Sequence, residues 1–185
     1  MKLRTKIHLY STLLMLLVLS ITNVGIYLIY SQNTYETELQ QLTTESESLI
    51  HALSQMTEST NPATILRAYS PGNGGVRIVN TSGEIEVAVN TTDRINEVKV
   101  ESVTKEKHEV NTINGSKMLT ISIPFIDSTG SISQLQVIQV LTDVERNLNE
   151  LMLILISITL VGTIPILISS IVLGKLVTQP IQKLI

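Results

Sequence analysis

Two stretches of this chain carry no Lys, Arg, Asp or Glu, and the rest is arranged around them. From Leu9 to Tyr30 the chain reads LYSTLLMLLVLSITNVGIYLIY, and from Leu151 to Gly174 it reads LMLILISITLVGTIPILISSIVLG. At about 1.5 Å per helical residue each run reaches roughly 33–36 Å, enough to cross a hydrocarbon core of about 30 Å. The pattern predicts transmembrane helices at 9–30 and 151–173, with 1–8 and 174–185 as flanking tails. A cleaved signal peptide is the alternative for the first, since Lys2, Arg4 and Lys6 precede it. The apolar run is too long for that, and no small-x-small cleavage site follows. Tyr10 near one end, and Tyr27 and Tyr30 near the other, fit interfacial aromatic belts.

The intervening 31–150 changes period along its length. Leu39, Leu42, Ser46, Leu49, Leu53 and Met56 recur at alternating three- and four-residue steps, so the first span continues as an amphipathic helix over Ser31–Thr57. Its stripe either covers a sheet of the same domain or, in the half nearest the membrane, forms a homodimer seam. Asn61 before Pro62 marks the start of a short helix that runs through Tyr69. VRIVN, a TSG turn and EIEVAVN predict a hairpin in which Ile85, Val87 and Val89 alternate with polar positions. Thr91 to Lys107 follows no period. HEVNTIN, an Asn114-Gly115 turn and KMLTISIPF form a second hairpin with Leu119, Ile121, Ile123 and Phe125 on one face. Pro124 there implies an edge or a bulged strand end. ISQLQVIQVLT is the last strand, and Thr142 with Glu145 reads as a capping box for the helix that enters the second span. The fold class expected is α+β, an antiparallel sheet with a long N-terminal helix, flanked by two transmembrane helices.

Charge gives this plan a direction. The ends carry Lys2, Arg4, Lys6, Lys175 and Lys183 and no acid, while the other eight Lys and Arg and all sixteen Asp and Glu fall in 31–150. By the positive-inside rule both termini are cytoplasmic and 31–150 lies outside the cell membrane. A chain without Cys has no disulfide framework, thiolate metal site or cysteine nucleophile.

Catalytic chemistry is not visible. His51 and His108-Glu109 lack metal-ligand spacing. GNGG follows a short helix and precedes a strand, the reverse of a phosphate loop. No catalytic residue, metal, cofactor or nucleic-acid partner is expected of this segment. Arg67, Tyr69, Arg77 and Lys117 remain as donors for a carboxylate ligand, with solvated surface charge as the plain alternative. Pro165, with Gly162, invites a hinge in the second span, although membrane helices also tolerate both residues.

VRIVNTSGEI and LTISIPFIDSTGSISQLQVIQV, behind a helical lead, resemble the extracytoplasmic single Cache, PAS-like sensor domain of bacterial receptors. GKLVTQPIQKLI resembles the opening of a HAMP linker, whose P-I-x-x-L element is Pro180, Ile181 and Leu184 here. Together they resemble the N-terminal sensory half of a two-component histidine kinase. The resemblance implies a homodimer in the membrane, an external small ligand or envelope protein, and a relay through Pro180, Ile181 and Leu184. It also implies a kinase domain beyond Ile185 that uses ATP and a response regulator. No phosphoacceptor segment or ATP-binding box is present, so the chain reads as a truncated piece. A chemoreceptor or cyclase-type receptor would share this input half, and a non-enzymatic membrane interaction protein is a third reading.

Overall fold

The computed structural model describes residues 3–56, 61–90, 93–127 and 130–182. Its elements run α1 (Leu3–Ser54), α2 (Pro62–Tyr69), β1 (Gly74–Asn80), β2 (Ile85–Asn90), a 3-10 turn (Asp93–Glu97), β3 (Lys107–Ile113), β4 (Ser116–Ile126), β5 (Ile132–Val140) and α3 (Thr142–Gln182). The chain divides into two units, Met1–Asn33 with Arg146–Ile185, and Thr34–Glu145.

The first unit is helical. Both α1 and α3 contain a stretch long and apolar enough to cross a membrane, with mean hydropathies of 2.2 and 2.7 over an 18-residue window. Their large side chains point outward: Leu14, Ile21, Leu160 and Val161 are all more than 60% exposed. Water would penalise so large an apolar surface, and lipid does not.

The second unit is built on a five-stranded antiparallel sheet in the order β2-β1-β5-β4-β3. The α+β class and the long N-terminal helix are as the sequence predicts. Strands β1, β5 and β4 are inner, so they are buried on both faces, whereas edge strand β3 alternates. On one face Val76, Ile78, Leu135, Val137, Ile121, Leu119 and Phe125 make an apolar layer. Helix α1 covers it with Leu42, Leu49 and Leu53, each at most 3% exposed. Leu53 shares a cleft with Ile78 and Phe125, and Glu38 accepts a bond of 3.0 Å from Gln139. The distal part of the stripe therefore covers the domain's own sheet. Leu66 of α2 is fully buried as well.

Local signals explain the connections. Asn61 caps α2 by accepting from Ala63 N–H at 3.0 Å, with Pro62 in the first turn. Asn114 and Gly115, at φ 51° and 77°, form the two-residue turn that joins Ile113 to Ser116. Pro124 sits in the stretch of β4 beyond Ser122, where β3 no longer flanks it, so a missing N–H is tolerated.

Two details depart from the sequence reading. A register shift between Ile78 and Val79 pairs Ile78 with Val87 but Val79 with Ile85. The bulge takes Ile85 off the face of Val87 and leaves it 47% exposed. At the start of α3, Glu145 N–H bonds the carbonyl of Leu141 at 2.9 Å. The helical bonding thus begins one residue before the Thr142 box, and buried Leu141 anchors it. Asp143 and Glu145 still lie in the first turn, where acids suit the helix dipole.

Gly74 is required by close approach. A Cβ there would lie 2.1 Å from the backbone oxygen of Ile138, whereas one at Gly72 meets nothing within 4 Å. Gly74→Ala should cost about 2–3 kcal/mol and Gly72→Ala almost nothing, as read by thermal unfolding of the chain in detergent. Equal melting of the two variants would contradict the β1–β5 register.

Candidate functional site

An inner strand leaves no solvent for a polar side chain to reach. One row across the sheet nevertheless sets Arg77 on β1 beside Gln136 on β5, Ser122 on β4 and Lys107 on β3. Arg77, Gln136 and Ser122 are 2%, 3% and 6% exposed. Gln134 and Thr120 flank the row on the same face, also buried. This face is opposite to the one that α1 covers, and its polar layer was not legible in the periodicity.

The aperiodic segment between β2 and β3 covers it. Near its start Val98 and Ile95 pack with Met118, Ile138 and Val140. Farther along, Gln134 Oε1 accepts from Val103 N–H, and Gln134 Nε2 donates to the Glu101 carbonyl, each at 2.9 Å. The chain between these two anchors crosses the Arg77 row. Arg77 Nε donates to Gln136 Oε1 at 2.6 Å, and its Nη2 donates to the carbonyls of Val98 at 2.7 Å and Lys99 at 3.5 Å. Burial lowers the guanidinium pKa from its ordinary value, yet an arginine stays protonated in any such setting. Among the described residues, the ion pairs formed do not include Arg77. Neutral oxygens carry its charge.

The outer rim of the segment is fastened by charge. Glu101 pairs with Lys107 at 2.8 Å and Lys99 at 3.0 Å, and Lys107 also reaches Glu109 at 2.5 Å. The hydrogen bond from Lys107, then that from Lys99, holds the Glu101 carboxyl down from 4.5 to about 2. The same partners, Glu101 first and then Glu109, push Lys107 well above its ordinary range. Among the described residues, the buried hydroxyl of Thr120 in this layer has no hydrogen-bond partner.

The four donors read from the sequence are not gathered at one place. Arg77 lies in the polar layer, and Lys117 lies on the opposite face of the sheet. Lys117 Nζ bonds Tyr35 Oη at 3.2 Å and lies 3.6 Å from Glu145, so it links α1 and the start of α3 within the second unit. The bond to Tyr35, with Glu145 behind it, raises its pKa. Arg67 and Tyr69 are exposed on α2. Tyr69 borders an open cleft of about 410 Å³ with Gln41, Glu45, Ser70 and Gln139. Among the described residues no group of three or more His, Cys, Asp or Glu is placed to hold a metal ion.

In the helical unit, Asn23 of α1 donates to Thr159 Oγ1 and, at 3.2 Å, to the Leu155 carbonyl of α3. Ser20, Val24, Tyr27, Met152 and Ile156 line a groove of about 340 Å³ beside this clasp. Pro165 lies within the unbroken α3, with its side chain exposed, and Pro180 and Ile181 lie on its last turn. Leu184 lies outside the described residues.

Sequence reasoning missed Gln134, Gln136, Thr120, Ser122 and Glu101. The available signal was β5 itself, where two glutamines interrupt a strand that is otherwise apolar at its centre. Since the Glu101 pKa is depressed, the hold of its ion pairs is present in full above the ordinary carboxyl value of about 4.5 and is lost as pH falls through about 2. Amide exchange at Val103, corrected for its intrinsic pH dependence, should therefore be constant from pH 8 to pH 5. Glu101→Gln should speed it about twofold to fivefold at neutral pH, the scale of exposed ion pairs. Exchange unchanged in that variant would show that the charges do not fasten the segment.

Residues 30–150 match the family described as the ArlS sensor domain. Over all 185 residues the chain is 28% identical to the sensor histidine kinase YkoH of Bacillus subtilis (strain 168). It spans 41% of that curated relative's length. With the family match extending over more than half of its length, this chain belongs to the ArlS sensor-domain family.

Proposed function

We propose that the chain is the sensory input module of a membrane histidine kinase. In this reading residues 31–150 face outward, both termini are cytoplasmic, and an external event is relayed through α3 into a HAMP-like helix at Pro180, Ile181 and Leu184. The observation that carries it is a sensor-family domain entered and left through helices that each continue as an apolar span. A regular helix transmits a shift that a flexible linker would absorb, and two helices held by a few polar contacts have more than one stable register. The five-stranded antiparallel sheet behind a long helix also supports a PAS-like, single-Cache assignment for the domain. The relative's description as a sensor histidine kinase supports a response regulator as downstream partner, and in this reading the module works as a homodimer joined to a kinase domain that uses ATP.

Because the natural chain lacks Cys, single cysteines along Leu9–Tyr30 and Leu151–Leu173 report contacts directly. In membranes, disulfide cross-links between protomers should recur with a helical period of about 3.6 residues, and Asn23→Leu, which removes the clasp, should alter the pattern. An absence of cross-links along both spans would overturn the dimeric relay. So would a pattern indifferent to Asn23.

A further inference from the structure

We propose that the polar layer beneath the β2–β3 segment is a binding site for a small organic carboxylate, with Arg77, Thr120 and Ser122 as its floor and the segment's own oxygens occupying the ligand's place until it arrives. The proposal deepens the sensory reading and rests on it for the consequence of binding, not for binding itself.

Three observations converge on this face. Arg77 is a permanent cation, 2% exposed, whose Nη2 donors end on the neutral carbonyls of Val98 and Lys99. A carboxylate would meet the same donors with shorter, charge-assisted and bidentate bonds. The Thr120 hydroxyl, on the same face one step along, is buried without a partner, a condition that folds retain for a water, an ion or a ligand. At the other end of the row, Lys107 is occupied by Glu101, an acid brought in by the covering segment itself. Backbone carbonyls on one cation and an internal carboxylate on the other together imitate an anion. The opposite face offers no comparable floor, being lined by Val76, Ile78, Leu135, Val137 and Ile121.

Entry requires residues 99–102 to lift. They are held by side chain–backbone bonds from Arg77 to Lys99 and from Gln134 to Glu101 and by exposed ion pairs, with no strand ladder through them. A ligand that takes Arg77 releases the Val98 and Lys99 carbonyls in the same event, so binding and lifting are one exchange.

The test uses the full 185-residue chain in nanodiscs, with acetate, succinate and citrate each at about 10 mM against sodium chloride of matched ionic strength. At least one carboxylate should raise the melting temperature saturably and increase deuterium uptake at residues 99–103. Thr120→Val should weaken that carboxylate about tenfold while leaving the unliganded chain as stable as before, because it removes an unpaired hydroxyl at constant shape. Glu101→Gln should bind it about threefold to tenfold more tightly, since the internal competitor is gone. Arg77→Met should abolish binding; if that variant does not fold, the other two decide. No saturable shift with any of the three carboxylates would overturn the proposal. Equal affinity in Thr120→Val and the natural chain would overturn it too, assigning that hydroxyl to an ordered water only. Carboxylate binding that leaves every cross-link between the spans unchanged would keep the site and defeat the sensory reading, whereas cross-links that respond to other stimuli without carboxylate binding would defeat the site alone.

Discussion

A sheet with three inner strands has two faces to keep from water, and this domain has one long amphipathic helix to cover them. Helix α1 covers the first face with leucines against valine, isoleucine and phenylalanine. The second is covered by irregular chain, and irregular chain brings unpaired backbone groups with it. Each buried N–H and C=O must find a partner, and past the 3-10 turn, where Val98 N–H bonds the Ile95 carbonyl, side chains of the sheet supply them. Gln134 meets a donor and an acceptor of the segment at once, and Arg77 meets two carbonyls. Buried amides and a buried guanidinium on inner strands follow from the choice of cover.

That choice also sets where the domain is least stable. A region held by a few side-chain bonds and exposed ion pairs opens at lower cost than one held by a ladder, and sites that respond to ligands are drawn from such regions. The helical unit shows the same economy in a different solvent. One asparagine reaches across from α1 to α3 among apolar side chains. Such hydrogen bonds between membrane helices contribute about 0.6–2 kcal/mol, enough to favour one register and too little to lock it.

Much of the fold was legible because its signals are local. The Asn114-Gly115 turn, the Asn61-Pro62 helix start and the two charge-free spans each depend on residues adjacent in sequence. The polar layer was not legible because its bonds connect positions 21 to 59 residues apart. Without the strand order, Arg77 in VRIVN reads as an outward charge, as it would be on an edge strand. Once β1 lies between β2 and β5, neither side of the strand is outside. The bulge at Ile78 and Val79 is similar, since alternation in EIEVAVN gives no hint that Ile85 changes face. Lys117 was legible as a cation in the domain but not as the link between two helices, because Tyr35 lies 82 residues from it.

Residues 99–106 form no element of their own and lend no hydrogen bond to the sheet ladder. Loops of this kind accept insertion and replacement far more readily than strands. A lineage carrying this scaffold can therefore rewrite the segment, and with it the chemistry laid against β1, β5 and β4, while the five strands stay in register. Under the proposed site, the chemistry recognised and the scaffold that presents it become separately heritable, which allows one architecture to diversify into many specificities without passing through an unfolded ancestor.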